Sequence, residues 1–308
     1  MQTLSPFTTT YPFFDIAANL CDDEFKGIYH DKKYHDEDID EVLKRASDMG
    51  VKKMLFSAGC AEDTVRSYEL SLKSNDYYIT SGIHPCRASE ALQINTDVNF
   101  HYNAIKELLT KYKSKAIAIG ECGLDYDRLH YSCKEDQIKI FPFHFDLAKE
   151  FNLPLYLHSR NTGDDFYNMI KENRNKFVDG VVHSFTESES ELNRYLELGL
   201  FIGVNGASFK TKENLEVVKK IPLDKLMIET DAPYCEIKSS SAAFKLVETK
   251  FEGRAKKEKM KKGIMCNDRN EPCSIIQVLE VLAKLKGVNK EELAKMCYDN
   301  TIKFFKLQ

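Results

Sequence analysis

No two of the nine cysteines stand at CxxC spacing, and their odd number follows no framework pattern. That argues against a cysteine zinc site and for reduced thiols in an intracellular protein. No apolar run approaches the roughly 18–20 residues of a membrane helix. Met1–Tyr11 lacks a basic segment followed by an apolar one, so no signal peptide is expected and a cytoplasmic or nuclear location is. No GxGxxG follows the first apolar strand, which speaks against an open dinucleotide-binding sheet. No segment repeats at a fixed period. Neither sign of charge dominates: the formal net charge is −4 and the pI about 6.1. A field of that size does not draw in nucleic acid, so an enzyme of phosphodiesters would need metal ions and local cations.

What is present is a full core and a regular alternation. The 308 residues are 43% hydrophobic and 30% charged, enough for one α/β barrel domain over 1–308. Eight short apolar runs read as strands: 13–20, 53–58, 77–83, 116–119, 154–158, 180–184, 200–205 and 226–231. Helical spacing separates them at 37–49, 62–73, 103–112, 135–151, 164–176, 189–198 and 212–220, with two more helices at 275–286 and 290–304. Pro142 lies inside one of these and should kink it. Eight strands alternating with helices predict a (β/α)8 TIM barrel. The departure from a minimal barrel is the long segment 232–270, rich in Ser and Lys, with a cationic run from Arg254 to Lys262. It is expected as an excursion over the catalytic face, weighed against a plain solvated segment.

Four of the apolar runs end in a metal-ligand type of residue. Ala116–Ile119 leads through Gly120 to Glu121, Leu155–Leu157 to His158, Val181-Val182 to His183, and Met227–Thr230 to Asp231. In a parallel barrel all four carboxyl ends face one mouth. A lone strand histidine is more often a hydrogen-bonded core residue, but four coincidences at equivalent positions point to a site for one or two divalent cations. Imidazole and carboxylate suit zinc or manganese, while magnesium prefers oxygens and water. Glu121 has two oxygens and can bridge two ions. Asp15 and Asn19, read as sharing a face of the first strand with Ala17, are candidates for a weaker metal position. Asp15 could equally make a structural hydrogen bond. His84, in Gly-Ile-His-Pro, could contact phosphate or the leaving oxygen. Arg160 could grip phosphate oxygens, and Glu229 could support a histidine ligand from behind. Ser184, Asn205 and Tyr234 are weaker candidates for substrate contact. His30, His35, His101, His130 and His144 are read as surface or packing residues.

The motifs together resemble the TatD-type deoxyribonucleases, most of all their eukaryotic branch, within the metal-dependent amidohydrolase-like barrels. The stretches that carry the resemblance are DIAANL at 15–20, GIHP at 82–85, AIGECGLDYDR at 118–128, PLYLHSRN at 154–161, VVHSF at 181–185, IGVNG at 202–206, LMIETDAPY at 226–234 and DRNEPC at 268–273. The resemblance implies Glu121, His158, His183 and Asp231 as metal ligands. Many relatives in the wider superfamily begin with His-x-His on the first strand, where this chain has Ala17 and Asn19, as the TatD branch does. The implied activity is metal-dependent hydrolysis of DNA, often 3′→5′, by metal-activated water. Magnesium is the implied ion of activity, Zn²⁺ or Mn²⁺ the alternatives, and Asp231 with Glu121 and His84 the catalytic groups. DNA is the implied partner, with no membrane and a monomer as the simplest assembly. The competing reading is a barrel hydrolase of a small amide or ester, since the same metal core can polarise a carbonyl.

Overall fold

The structure is a computed structural model that describes residues 11–307. Eight parallel strands run in chain order: β1 (Phe13–Ala18), β2 (Val51–Phe56), β3 (Tyr77–Ser81), β4 (Ala116–Asp125), β5 (Leu155–Arg160), β6 (Gly180–Val182), β7 (Phe201–Val204) and β8 (Leu226–Ile228). The ring closes just beyond β8. Ala18 bridges Ala232, and the Asp231 and Asn19 amides donate to Ala17 and Ala232 carbonyls at 2.8 and 2.7 Å. The expected barrel is therefore present.

The strands are buried on both faces, as parallel strands under helices must be. Alternate side chains divide two cores. Phe14, Leu55, Ile117, Tyr156, Val181, Phe201 and Met227 form an inner cluster from seven of the strands, joined by Phe304 and Phe305. Their opposite-facing neighbours, such as Phe13, Met54, Leu155, Val182 and Ile202, belong to the larger layer shared with the helices. The helices α1 (Ile39–Asp48), α2 (Ala61–Ser71), α3 (Ala88–Ile94), α4 (Val98–Lys111), α5 (Lys134–Ile140), α6 (Phe143–Phe151), α7 (Asp164–Glu172), α8 (Glu189–Glu197) and α9 (Lys212–Lys220) fill the intervals between strands. Two more, α10 (Ile275–Lys286) and α11 (Lys290–Phe304), end the chain. The final turn of α11 brings Phe304 against Phe201, and Phe305 follows against Phe14, with centroids at 5.2 and 5.7 Å.

Three expectations change. The single helix over 135–151 is two, α5 and α6, because Pro142 cannot donate into a continuous ladder and stands instead as the N-cap of α6. Helix α3 escaped the sequence reading; it is only seven residues long. The register of β1 against β2 slips between Asp15 and Ala18, so Asp15 and Ala17 do not share a face as strict alternation predicted.

The segment after β8 has little regular structure beyond short 3-10 turns at Phe244–Leu246 and Lys257–Lys259. It is anchored by buried Ile237, Ala243, Met265 and Cys266. Part of its cationic run is spent on structure. Arg254 pairs with Glu236 and donates to the Cys266 and Arg269 carbonyls, and Lys257 lies over the Tyr29 and Tyr34 rings. Only Tyr234 and Cys235 of this segment line the mouth of the barrel.

The segment returns to the barrel at Arg269, whose side chain is fully buried. Its guanidinium meets Asp38 through two bonds of 2.7 and 2.6 Å and Glu271 at 3.0 Å, while Arg45 of α1 also holds Glu271 at 2.7 and 3.0 Å. Removing one partner of such a group leaves charge buried without compensation. Arg269→Met should therefore cost about 3–5 kcal/mol in urea unfolding. The exposed pair Lys295–Asp299 should cost less than about 1 kcal/mol on Lys295→Met. Equal small losses for both would show that the buried network does not hold the segment.

Candidate active site

The site begins with two glycines. Gly120 and Gly123 have φ of 141° and 143°, a region that L side chains rarely enter. A Cβ at Gly120 would lie 2.2 Å from the Tyr156 carbonyl oxygen, and one at Gly123 would lie 1.9 Å from that of His158. The GECG stretch thus lets β4 press against β5, bringing Glu121 up to His158.

Three imidazoles surround one oxygen of Glu121. His183 Nε2 lies 2.6 Å from Oε1, His158 Nδ1 3.0 Å, and His84 Nε2 3.2 Å. Each ring is oriented from its other side. His158 Nε2 lies 2.9 Å from Asp125 Oδ2, a buried carboxylate. Asp125 can only accept, so Nε2 donates to it and Nδ1 is turned toward Glu121. Behind His183, Glu229 Oε1 stands 3.5 Å from Nδ1. Glu229 is itself held by the Ser184 amide at 2.7 Å and Asn205 Nδ2 at 2.9 Å, and Tyr156 stacks on the ring with centroids 4.7 Å apart.

His84 is different. It caps the turn that follows it, and its Nδ1 accepts the Cys86 amide at 3.0 Å. That bond uses the Nδ1 lone pair, so Nε2 carries the proton and faces the mouth as a donor. His84, Glu121 and His158 are close enough to hold an ion, but in this hydrogen-bonding state His84 offers no lone pair to one.

Asp231 lines the same mouth. It adopts a left-handed φ of 55°, kept in place by the bond from its amide to Ala17. Asn19 Nδ2 donates to Oδ1 at 2.9 Å and Cys235 Sγ to Oδ2 at 3.1 Å. Asn19 is in turn held by Ser57. Burial pushes the Asp231 carboxyl up, and Glu229 and Glu121 add to this against the opposing His183 charge. Burial would also raise Glu121, but His183, His84 and the His158 bond outweigh it and hold that carboxyl well below the usual range. His183 is driven the other way: burial lowers it, yet Glu121 and Glu229 raise it well above an ordinary histidine.

The structure thus gathers Glu121, His158, His183, Asp231, Asn19, His84 and Arg160 about one cavity of about 690 Å³. It does not bring Asp15 there. Asp15 accepts from the Thr230 amide at 2.9 Å, the Thr230 hydroxyl at 2.5 Å and the Ala17 amide at 3.2 Å. Burial pushes its carboxyl up to about 7, and it ties β1 to the end of β8. Asn205 supports Glu229 and caps the turn after β7. Asp125 escaped the sequence reading because β4 was ended at Ile119. Its place four residues after Glu121, an even spacing along one strand, was the available signal. Arg160 Nη1 lies 3.6 Å from Asp125 Oδ2. His144, read as surface or packing, is buried: its Nδ1 donates to the Phe141 carbonyl at 3.1 Å and its Nε2 accepts the Ile83 amide at 2.9 Å, beside His84.

The family described as TatD related DNase matches residues 14–306. The chain is 40% identical over 300 residues to a deoxyribonuclease Tat-D of Schizosaccharomyces pombe, covering 96% of each. It is 32% identical to a 3′-5′ ssDNA/RNA exonuclease TatD of a Rahnella strain, covering 96% of this chain and 98% of that one. Among solved structures it is similar to a TatD-family hydrolase of Entamoeba histolytica, with a TM-score of 0.89 at 37% identity over 96% of this chain and 98% of the other.

Burial holds His144 neutral by lowering its pKa from 6.5 to about 3. Below pH 6.5 the unfolded chain takes up a proton there that the folded one refuses, so this residue's contribution falls as the pH drops toward 3. The deficit grows by about 1.4 kcal/mol per pH unit. Melting of the wild type should therefore fall more steeply between pH 6.5 and 4.5 than that of His144→Gln, and the two curves should converge. Parallel curves would contradict a neutral buried imidazole.

Proposed function

The chain belongs to the TatD-related DNase family, and from that premise we propose that its mouth hydrolyses DNA phosphodiester bonds from the 3′ end, with divalent cations held by Glu121, His158, His183 and Asp231. The observation that carries this reading is the orientation of His158. Asp125 holds its Nε2 at 2.9 Å and turns Nδ1 to within 3.0 Å of Glu121 Oε1, where His183 Nε2 also arrives at 2.6 Å. A cation satisfies that arrangement, and a carboxylate behind a ligating imidazole is the usual support for one. Glu229 stands behind His183 in the corresponding place.

Bound divalent cations supply charge neutralisation at phosphate and acidity to a water. Asp231, its carboxyl raised by burial and its two oxygens aimed by Asn19 and Cys235, would be the residue that takes a proton from the attacking water. His84 presents an N–H to the phosphate or to the departing oxygen. Arg160, partly buried at the end of β5, offers a guanidinium to the non-bridging oxygens. Magnesium is the ion assigned to activity, with zinc or manganese able to take the imidazole positions. DNA is the partner, and the relatives' names favour it over a small amide or ester. No helix of the described residues is long and apolar enough to cross a membrane. None of the nine cysteines is in a disulfide, which supports a reducing compartment, cytoplasm or nucleus.

The test is release of nucleotides from end-labelled single- and double-stranded DNA. Chelator should abolish release and added Mg²⁺, Mn²⁺ or Zn²⁺ restore it. Glu121→Gln and Asp231→Asn should each lower turnover by roughly 100-fold or more at retained fold, the scale on which charge stabilisation of a transition state is lost. Undiminished cleavage by either variant would remove the proposal.

A further inference from the structure

One wall of the mouth is not used by the chemistry above. The loop between β4 and α5 carries Arg128, Leu129, His130 and Tyr131 in succession, all exposed. Tyr131 is 61% exposed. A single exposed aromatic on a protein surface needs no explanation; the position of this one does. Arg128 and Tyr131 line the same cavity as Glu121, His158 and Asp231. The Tyr131 amide donates to the Arg128 carbonyl at 3.0 Å in a tight turn, and the His130 ring lies 4.2 Å from that of Tyr131.

Arg66 and Arg87 line the cavity together with Asp63 and Glu90, to which they are paired. Arg128 has no ion-pair partner among the described residues. Across the cavity, Asp22 and Asp23 lie in the loop after β1, Asp23 paired with Lys26. In a ring of eight strands in chain order, β8 lies across from β4. The loop after β8 carries Tyr234, half exposed, its hydroxyl given to Asp22. Arg128 is thus the rim cation placed to meet a phosphate chain, with Arg160 at the end of β5 beside Asp125.

We propose that Tyr131, with Arg128 beside it, is a stacking subsite for an unpaired nucleobase of the strand held at the mouth. This rests on the nuclease reading of the mouth. A tyrosine face receives any of the four bases, and stacking of this kind holds single strands without sequence preference. The terminal base of a blunt duplex is held by its pairing partner and must be freed before it can enter.

The experiment measures binding as well as cleavage. Fluorescence anisotropy would follow a labelled ten-nucleotide single strand, protected at its 3′ end by phosphorothioate linkages, in Mg²⁺. A second strand would carry abasic sugars at its last two positions. Tyr131→Ala should weaken binding of the intact strand by about tenfold and leave the abasic strand unchanged, while Tyr131→Phe should bind both as the wild type does. Tyr131 is exposed, so its replacement should spare the fold. Equal affinity of Tyr131→Ala and wild type for the intact strand would overturn the subsite. So would an equal loss on both strands, or no binding by the wild type. If the wild type binds as expected and loses affinity on Tyr131→Ala, yet releases no nucleotide from unprotected DNA, the subsite stands and the hydrolytic reading fails.

Discussion

A carboxylate buried at the end of an apolar strand cannot remain ionised unless positive charge or proton donors meet it. Glu121 is in that position, and the organisation of the mouth answers its demand. Three imidazoles from three different strand ends close on one of its oxygens. Two of these are backed by further buried acids, Asp125 and Glu229. Negative charge thus exceeds what the histidines alone can compensate. Such a surplus, gathered where the barrel opens to solvent, is the electrostatic condition for holding cations.

The scaffold supplies rigidity from below and from the side. Tyr156, in the inner core, stacks on His183, so the same packing that fills the barrel orients a ring of the site. Asp15 and Thr230 join the first strand to the last across the closure. The buried Arg269 network fastens the long segment after β8 to α1 and the loop before it. That segment then delivers only Tyr234 and Cys235 to the mouth. Arg254 and Lys257 are engaged within the fold, and none of the segment's lysines lines the mouth.

The rim has two characters. Arg128, Arg160 and the exposed Tyr131 stand beyond β4 and β5, Asp22, Asp23 and Tyr234 beyond β1 and β8, and the ion pairs Arg66–Asp63 and Arg87–Glu90 lie between them. With a net charge of −4, the whole protein does not attract a polyanion. Local arrangement must do so, which makes the placement of a few side chains worth more than the overall balance.

Eight apolar runs, the helices between them and the residue types at four strand ends were legible in the sequence, because burial between helices makes parallel strands continuous hydrophobic runs and chemistry sits where those runs stop. The break at Pro142 was signalled by the proline itself, but the register slip after Asp15 and the short α3 were not legible, since each depends on which neighbour a backbone meets. The tertiary structure alone decided roles. Asp15 and Asn19 look alike as polar groups of one strand, yet Thr230 consumes the first and Asp231 engages the second. His84 and His158 both reach Glu121, but the Cys86 amide orients one ring and the Asp125 carboxylate the other. Sequence places titratable groups along a line; which atom holds a proton is set by partners as many as 215 residues away, and only folding brings them within hydrogen-bond reach.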